Sequence, residues 1–148
     1  MCCRTRAISV ALLLSPGLIL PGFSIDARAQ VFIDPAELSA PETGTFTLTL
    51  LSDKPSYSAK DNMVFIVLSQ EDCRLTLADV DSTGSGSLLF PNKLQTNNRI
   101  EAGKVFVIGD RASPIRLIAG ETETHLIVAQ CVTAAGSLVR KTMKIEVE

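Results

Sequence analysis

Tryptophan is absent from this chain of 148 residues, and tyrosine and histidine occur once each. Aromatic side chains make up only 5% of it, too few for a platform on which sugars or bases could stack. Lysine and arginine are scattered, so there is no basic stripe to hold a phosphate backbone. Nucleic acid is therefore not an expected partner. No polybasic segment flanks an amphipathic helix, which leaves membrane-surface binding without support. Walker-type phosphate loops and dinucleotide fingerprints are missing as well. A single histidine with no Cys-x-x-Cys spacing cannot supply the usual zinc ligands. No cofactor is expected.

What is present is most explicit at the N-terminus. Arg4 and Arg6 precede an apolar run from Ile8 to Phe23, broken by Pro16-Gly17 and Pro21-Gly22. Ala27-Arg28-Ala29 then forms a small-x-small cleavage site. The pattern predicts a cleavable signal peptide over residues 1–29. The run is too short and too interrupted for a span of about 20 apolar residues, so the mature chain is expected to have no membrane span. Cys2 and Cys3 precede the run, whereas a bacterial lipid-anchoring cysteine would follow it. The expected location is periplasmic or secreted.

Without the leader, 119 residues remain, with 11 basic and 15 acidic side chains. That is enough for one domain with its own core. Cys73 and Cys131 are the remaining cysteines. An even pair in an exported domain predicts a disulfide; the alternative is two buried free thiols. The closed loop would be worth roughly 4 kcal/mol in the chain-entropy description.

Residues 30–44 read as a flexible lead-in, with one helical turn available at Asp34-Pro35-Ala36-Glu37. Residues 45–148 read as strands. Thr45, Thr47 and Thr49 alternate with Phe46, Leu48 and Leu50, the period of a strand with one buried face. Further strands are expected at Met63–Leu68, Arg74–Val80, Ser87–Phe90, Val105–Ile108, Ile115–Ile118, Glu123–Cys131 and Leu138–Val147. About eight short strands, with turns about every 8–12 residues and no long amphipathic helix, predict an all-β fold. The expectation is a single antiparallel β-sandwich, immunoglobulin-like or related.

Several short blocks recur in a recognisable order. Tyr57-Ser58-Ala59-Lys60-Asp61 is followed by Leu77-Ala78-Asp79-Val80-Asp81-Ser82-Thr83-Gly84 and by Leu89-Phe90-Pro91-Asn92. Then come Ile100-Glu101-Ala102-Gly103 and Gly120-Glu121-Thr122-Glu123. Over residues 46–131 this order resembles the bacterial domain-of-unknown-function family numbered 4384. The resemblance implies an all-β accessory module and brings no catalytic residues with it. Lys60 stands where that family commonly has glycine, so the first turn is expected to differ. On physical grounds, Phe90 can bury its ring, Pro91 can end a strand and Asn92 can bond its own turn. Alternatively, Phe90, Pro91 and Asn92 form an interaction patch.

Three places could carry chemistry. Asp79 to Gly84 matches the start of a calcium loop, but Phe90 occupies the position that needs a bidentate glutamate, so a solvated hairpin turn is expected. His125 would have to be the base of any Ser-His-Asp site, yet no Gly-x-Ser-x-Gly elbow accompanies it, and a structural strand histidine is expected. Glu121 and Glu123 could pair as in glycoside hydrolysis, but read as solvated turn residues. The expected function is a non-enzymatic accessory module binding another cell-envelope protein. The alternatives are a small-ligand or ion-binding sandwich and, behind it, a hydrolase centred on His125.

Overall fold

The computed structural model describes residues 32–34 and 36–148; the leader and its cleavage site lie outside these. Each stretch of alternating apolar and polar residues forms a strand, with ends shifted from those expected. In chain-order numbering these are β2 (Leu48–Ser52), β5 (Phe65–Ser69), β6 (Cys73–Val80) and β7 (Gly86–Phe90). Then come β9 (Phe106–Ile108), β10 (Leu117–Ile118), β11 (Thr124–Val132) and β12 (Leu138–Val147). Four two-residue strands supplement them: β1 (Phe32–Ile33), β3 (Ser56–Tyr57), β4 (Asn62–Met63) and β8 (Arg99–Ile100). The protein is all-β; among the described residues the only helical element is a 3-10 turn at Glu37–Ser39.

The strands form two layers. The larger sheet runs β1-β7-β6-β11-β12-β3, with β8 also on β6. Its pairings are antiparallel except β12 with β3. The smaller sheet is β2-β5-β9, also antiparallel, and Val64 alone separates β5 from β4, which pairs with β10. Leu75, Leu77, Ile127 and Ile145 of the larger sheet share one core with Leu48, Leu50, Phe65 and Val67 of the smaller. Burying each such side chain contributes about 1.5–3 kcal/mol. Phe90, expected as either core or patch, belongs to this core: it is wholly buried and its ring centroid lies 5.2 Å from that of Phe106.

Cys73 on β6 and Cys131 on β11 are joined by a disulfide, with Cα atoms 5.5 Å apart. The bond links neighbouring strands of one sheet and closes a loop with a sequence separation of 58. Its stabilisation is roughly 4 kcal/mol if it acts by restricting the unfolded chain.

The lead-in, expected to be flexible, is docked. β1 pairs with the start of β7, and Leu38 packs on Ala78 and Val128, on the face of the larger sheet turned away from the main core. Gly86 permits this approach, since a Cβ there would lie 2.8 Å from Ile33 Cγ2. Farther along, the Thr43 and Gly44 amides donate to Leu138 O, and the Arg140 guanidinium donates to Ala40 O. An apolar patch that would otherwise face water is what holds the segment down.

The first family block forms the β3–β4 turn. Tyr57 is buried, and its hydroxyl donates to Asp53 Oδ1 at 2.5 Å. Asp61 Oδ2 accepts from the Ser58 amide and the Lys54 ammonium. Lys60 N donates to Ala119 O, and Ala119 N donates to Asp61 O, tying this turn to the segment after β10. Lys60 has φ of 73°, the one positive φ outside glycine among the described residues. The turn thus keeps a glycine-type backbone with a lysine on it, where a different turn was expected.

A left-handed non-glycine residue costs about 1–2 kcal/mol, and glycine gives back about 0.5–1 kcal/mol in backbone entropy. Lys60→Gly should therefore raise stability by about 0.5–1 kcal/mol in urea unfolding; a lower midpoint would show that lysine contacts outweigh the strain. Burial, then the bond to Asp53, pushes the Tyr57 phenol up to about 12. The unfolded chain ionises first, so stability from this group is lost as pH climbs above 10. Absorbance titration of this single tyrosine should show folded-state ionisation near 12 rather than near 10.

Candidate functional site

The register of β6 against β11 places Asp79 opposite Ile127, two residues from His125 on the same face. Both side chains prolong the core face of the larger sheet toward one of its ends. There the His125 ring lies with Nδ1 3.0 Å from each Asp79 carboxylate oxygen. His125 is 8% exposed, and burial pushes the Asp79 carboxyl up, against the opposing pull of the imidazole beside it. On the other side of the ring, Nε2 faces Glu123 Oε1 at 3.7 Å, beyond hydrogen-bond length. Nε2 is buried and has no hydrogen-bond partner. Ser82 Oγ donates to the second oxygen of Glu123 at 2.5 Å.

Asp79, Glu123 and His125 line a cleft of about 690 Å³ bounded by β7, β10 and the start of β11. Asp81, Glu121, Asn92, Lys93 and Arg116 also reach it. Apolar wall is supplied by Met63, Leu88, Leu89, Leu117 and Ile118. The volume falls within the range of about 300–1,000 Å³ typical of small-molecule sites.

Of the Asp79 to Gly84 stretch, Asp79 and Val80 end β6, and Asp81 to Gly84 lie in the β6–β7 hairpin turn. Asp81 Oδ1 accepts from the amides of Thr83 and Ser85 and from the Thr83 hydroxyl. The Thr83 hydroxyl, followed by the Ser85 amide, holds the Asp81 carboxyl below its usual range. Gly84 takes φ of 85°. Asp79 turns instead toward His125, so the two aspartates do not converge as ion ligands. Among the described residues, no three acid, histidine or cysteine side chains are placed to hold a metal.

The Leu89 to Asn92 block contributes differently from each position. Phe90 is sealed in the core and cannot anchor a partner. Pro91 follows it through a cis peptide bond. Asn92 Oδ1 accepts from the Leu94 and Gln95 amides, while Nδ2 donates to Leu89 O. The patch of Phe90, Pro91 and Asn92 is corrected accordingly: one member is core, and the amide of another is engaged in its own turn. Of this block, Leu89 and Asn92 line the cleft wall.

A scan against protein families matches residues 56–131 to a domain of unknown function, DUF4384. The chain belongs to this family. The match opens at the Tyr57 turn and closes at the disulfide partner Cys131, so Asp79, Glu123 and His125 all fall inside DUF4384. β12 and the docked lead-in flank the matched region. No curated protein matches the chain.

In the sequence, the calcium-like loop, the lone histidine and the paired glutamates stand apart. The fold brings Asp79, Glu123 and His125 together in one place. A raised Asp79 means the folded protein takes up this proton before the unfolded chain does. Stability from the group therefore rises as pH falls from the raised value toward 3.8, and is absent above the raised value. Asp79→Asn keeps an acceptor for Nδ1 but cannot titrate. Urea unfolding across that window should show the wild type gaining on the variant as pH falls; parallel curves would exclude titration of Asp79.

Proposed function

We propose that this protein is an exported, non-enzymatic accessory module that captures another cell-envelope protein on the outer face of its smaller sheet. The observation that carries this reading is the alternation in β2, β5 and β9. Leu48, Leu50, Phe65, Val67 and Ile108 face the core. The opposite face therefore carries Leu51, Ile66 and Val107 in one cross-strand row. Leu68 lies two residues beyond Ile66, the middle member of that row, with Thr49 opposite it. Leu51 is 53% exposed, Leu68 36%, and Val105, just before β9, 64%. An antiparallel sheet with one solvated face ordinarily shows polar residues there. A contiguous apolar set on such a face favours an interaction surface.

Two further features support the reading. The leader pattern favours export, and a disulfide favours an oxidising compartment. No hydroxyl bonds to His125 Nε2 among the described residues, so no Ser-His pair supports a hydrolase there.

Capture tests it. The tagged mature protein, cross-linked in its native envelope, should recover a reproducible partner. Leu51→Lys and Leu68→Lys should each lower that recovery at least about tenfold, as expected for anchors worth more than about 1.4 kcal/mol. Their melting temperatures should stay close to wild type, since both side chains already face water. Undiminished recovery by both variants would remove this face as the docking site.

A further inference from the structure

We propose that the cleft beside His125 binds a primary ammonium group carried on an apolar stem. This goes beyond capture of a protein on the smaller sheet and rests on a different face. The ring sets Nδ1 against the Asp79 carboxylate and directs Nε2 toward Glu123. Glu123 Oε1 is itself an acceptor. Nε2 and Glu123 Oε1 face one another across 3.7 Å without a hydrogen bond, and Nε2 is buried without a partner. Buried polar atoms are rarely left this way. A donor entering the cleft would find Nε2 free to accept.

An alkylammonium meets the requirement from both sides. It carries three N–H donors and no acceptor, so it can bond Nε2 and Glu123 together. Asp79, Asp81, Glu121 and Glu123 set four carboxyl groups around the cleft against two cations, Lys93 and Arg116. Asp79 is bonded to His125 and Asp81 to its own turn, which leaves Glu121 and Glu123 as the carboxyl groups turned to a ligand. The stem would lie along Met63, Leu88, Leu89 and Leu117. A bare metal ion fits less well: about 690 Å³ far exceeds its need, and no three ligands are gathered among the described residues. The ammonium reaches Nε2 by turning the near oxygen of Glu123 aside, which a side chain 30% exposed allows.

The same head group could be offered by a free amine or by a lysine side chain of a polypeptide. Calorimetric titration of the mature protein with hexylammonium, hexan-1-ol and Nα-acetyl-lysine methylamide separates these. Hexylammonium should bind, with hexanol at least about tenfold weaker, because only the charge and donors differ. Tighter binding of the lysine amide identifies a polypeptide source; tighter binding of hexylammonium identifies a free amine. Glu123→Gln places an amide donor where it can satisfy Nε2 and removes the charge, so affinity should fall at least about tenfold with the melting temperature unchanged. The single histidine gives a second readout, in which the imidazole nitrogen resonance of Nε2 should shift on saturation in wild type only. Absence of hexylammonium binding, equal binding of hexanol, or unchanged affinity in Glu123→Gln would overturn the proposal.

Discussion

β11 is hydrogen-bonded along both edges and covered on both faces, and the remaining structure is arranged around that fact. Its backbone pairs with β6 from Leu126 to Val132 and with β12 from Thr124 to Val132. Ile127, Ala129 and Cys131 enter the main core, while Val128 lies beneath Leu38 of the lead-in. A strand enclosed in this way cannot give its amides and carbonyls to water, so both neighbours are obligatory. Their alignment is then imposed rather than chosen. One alignment joins Cys131 to Cys73 toward one end and brings His125 to Asp79 toward the other.

The family blocks gain meaning from this frame. The Tyr57 turn clasps Ala119, the Asp81 turn closes the β6–β7 hairpin, and Asn92 braces the chain leaving β7. All three shape the walls or the rim of the same cleft. Ile100 to Gly103 does other work: Ala102 N donates to Asp72 Oδ1 and Gly103 N to Ser69 O, securing the approach to Cys73. The ordered blocks are thus mostly turn chemistry that holds backbone in place. The side chains left over for recognition are those the turns do not use.

Strands were legible where the period of two was long enough to count. Phe46, Leu48 and Leu50 are buried in alternation as expected, although ladder pairing begins only at Leu48. Before it, the Gln70 backbone amide donates to Thr47 O while the Gln70 side chain accepts from Thr47 N, so a side chain supplies one bond of the pair. Two-residue strands such as β1, β3 and β8 leave no period to read. The docking of the lead-in had a signal in Leu126-Ile127-Val128-Ala129, an unbroken apolar run that implies two covered faces. The meeting of Asp79 with His125 had none, because 46 residues separate them and only strand register unites them. Register depends on packing across the whole sheet and cannot be read from either segment alone.

The disulfide lies within a sheet rather than between layers, and this gives it a different meaning. Sandwiching of the two sheets rests mainly on apolar contact, helped by the Tyr57 hydroxyl of β3 on Asp53 beside β2; the covalent bond reports only how β6 lies against β11. Because side chains alternate between faces, a slip of one residue would put the two sulfurs on opposite sides of the sheet. They could then not approach within bonding distance. Oxidation therefore seals only chains whose two strands have met in phase, a covalent proofreading of alignment made once and carried thereafter by the finished molecule.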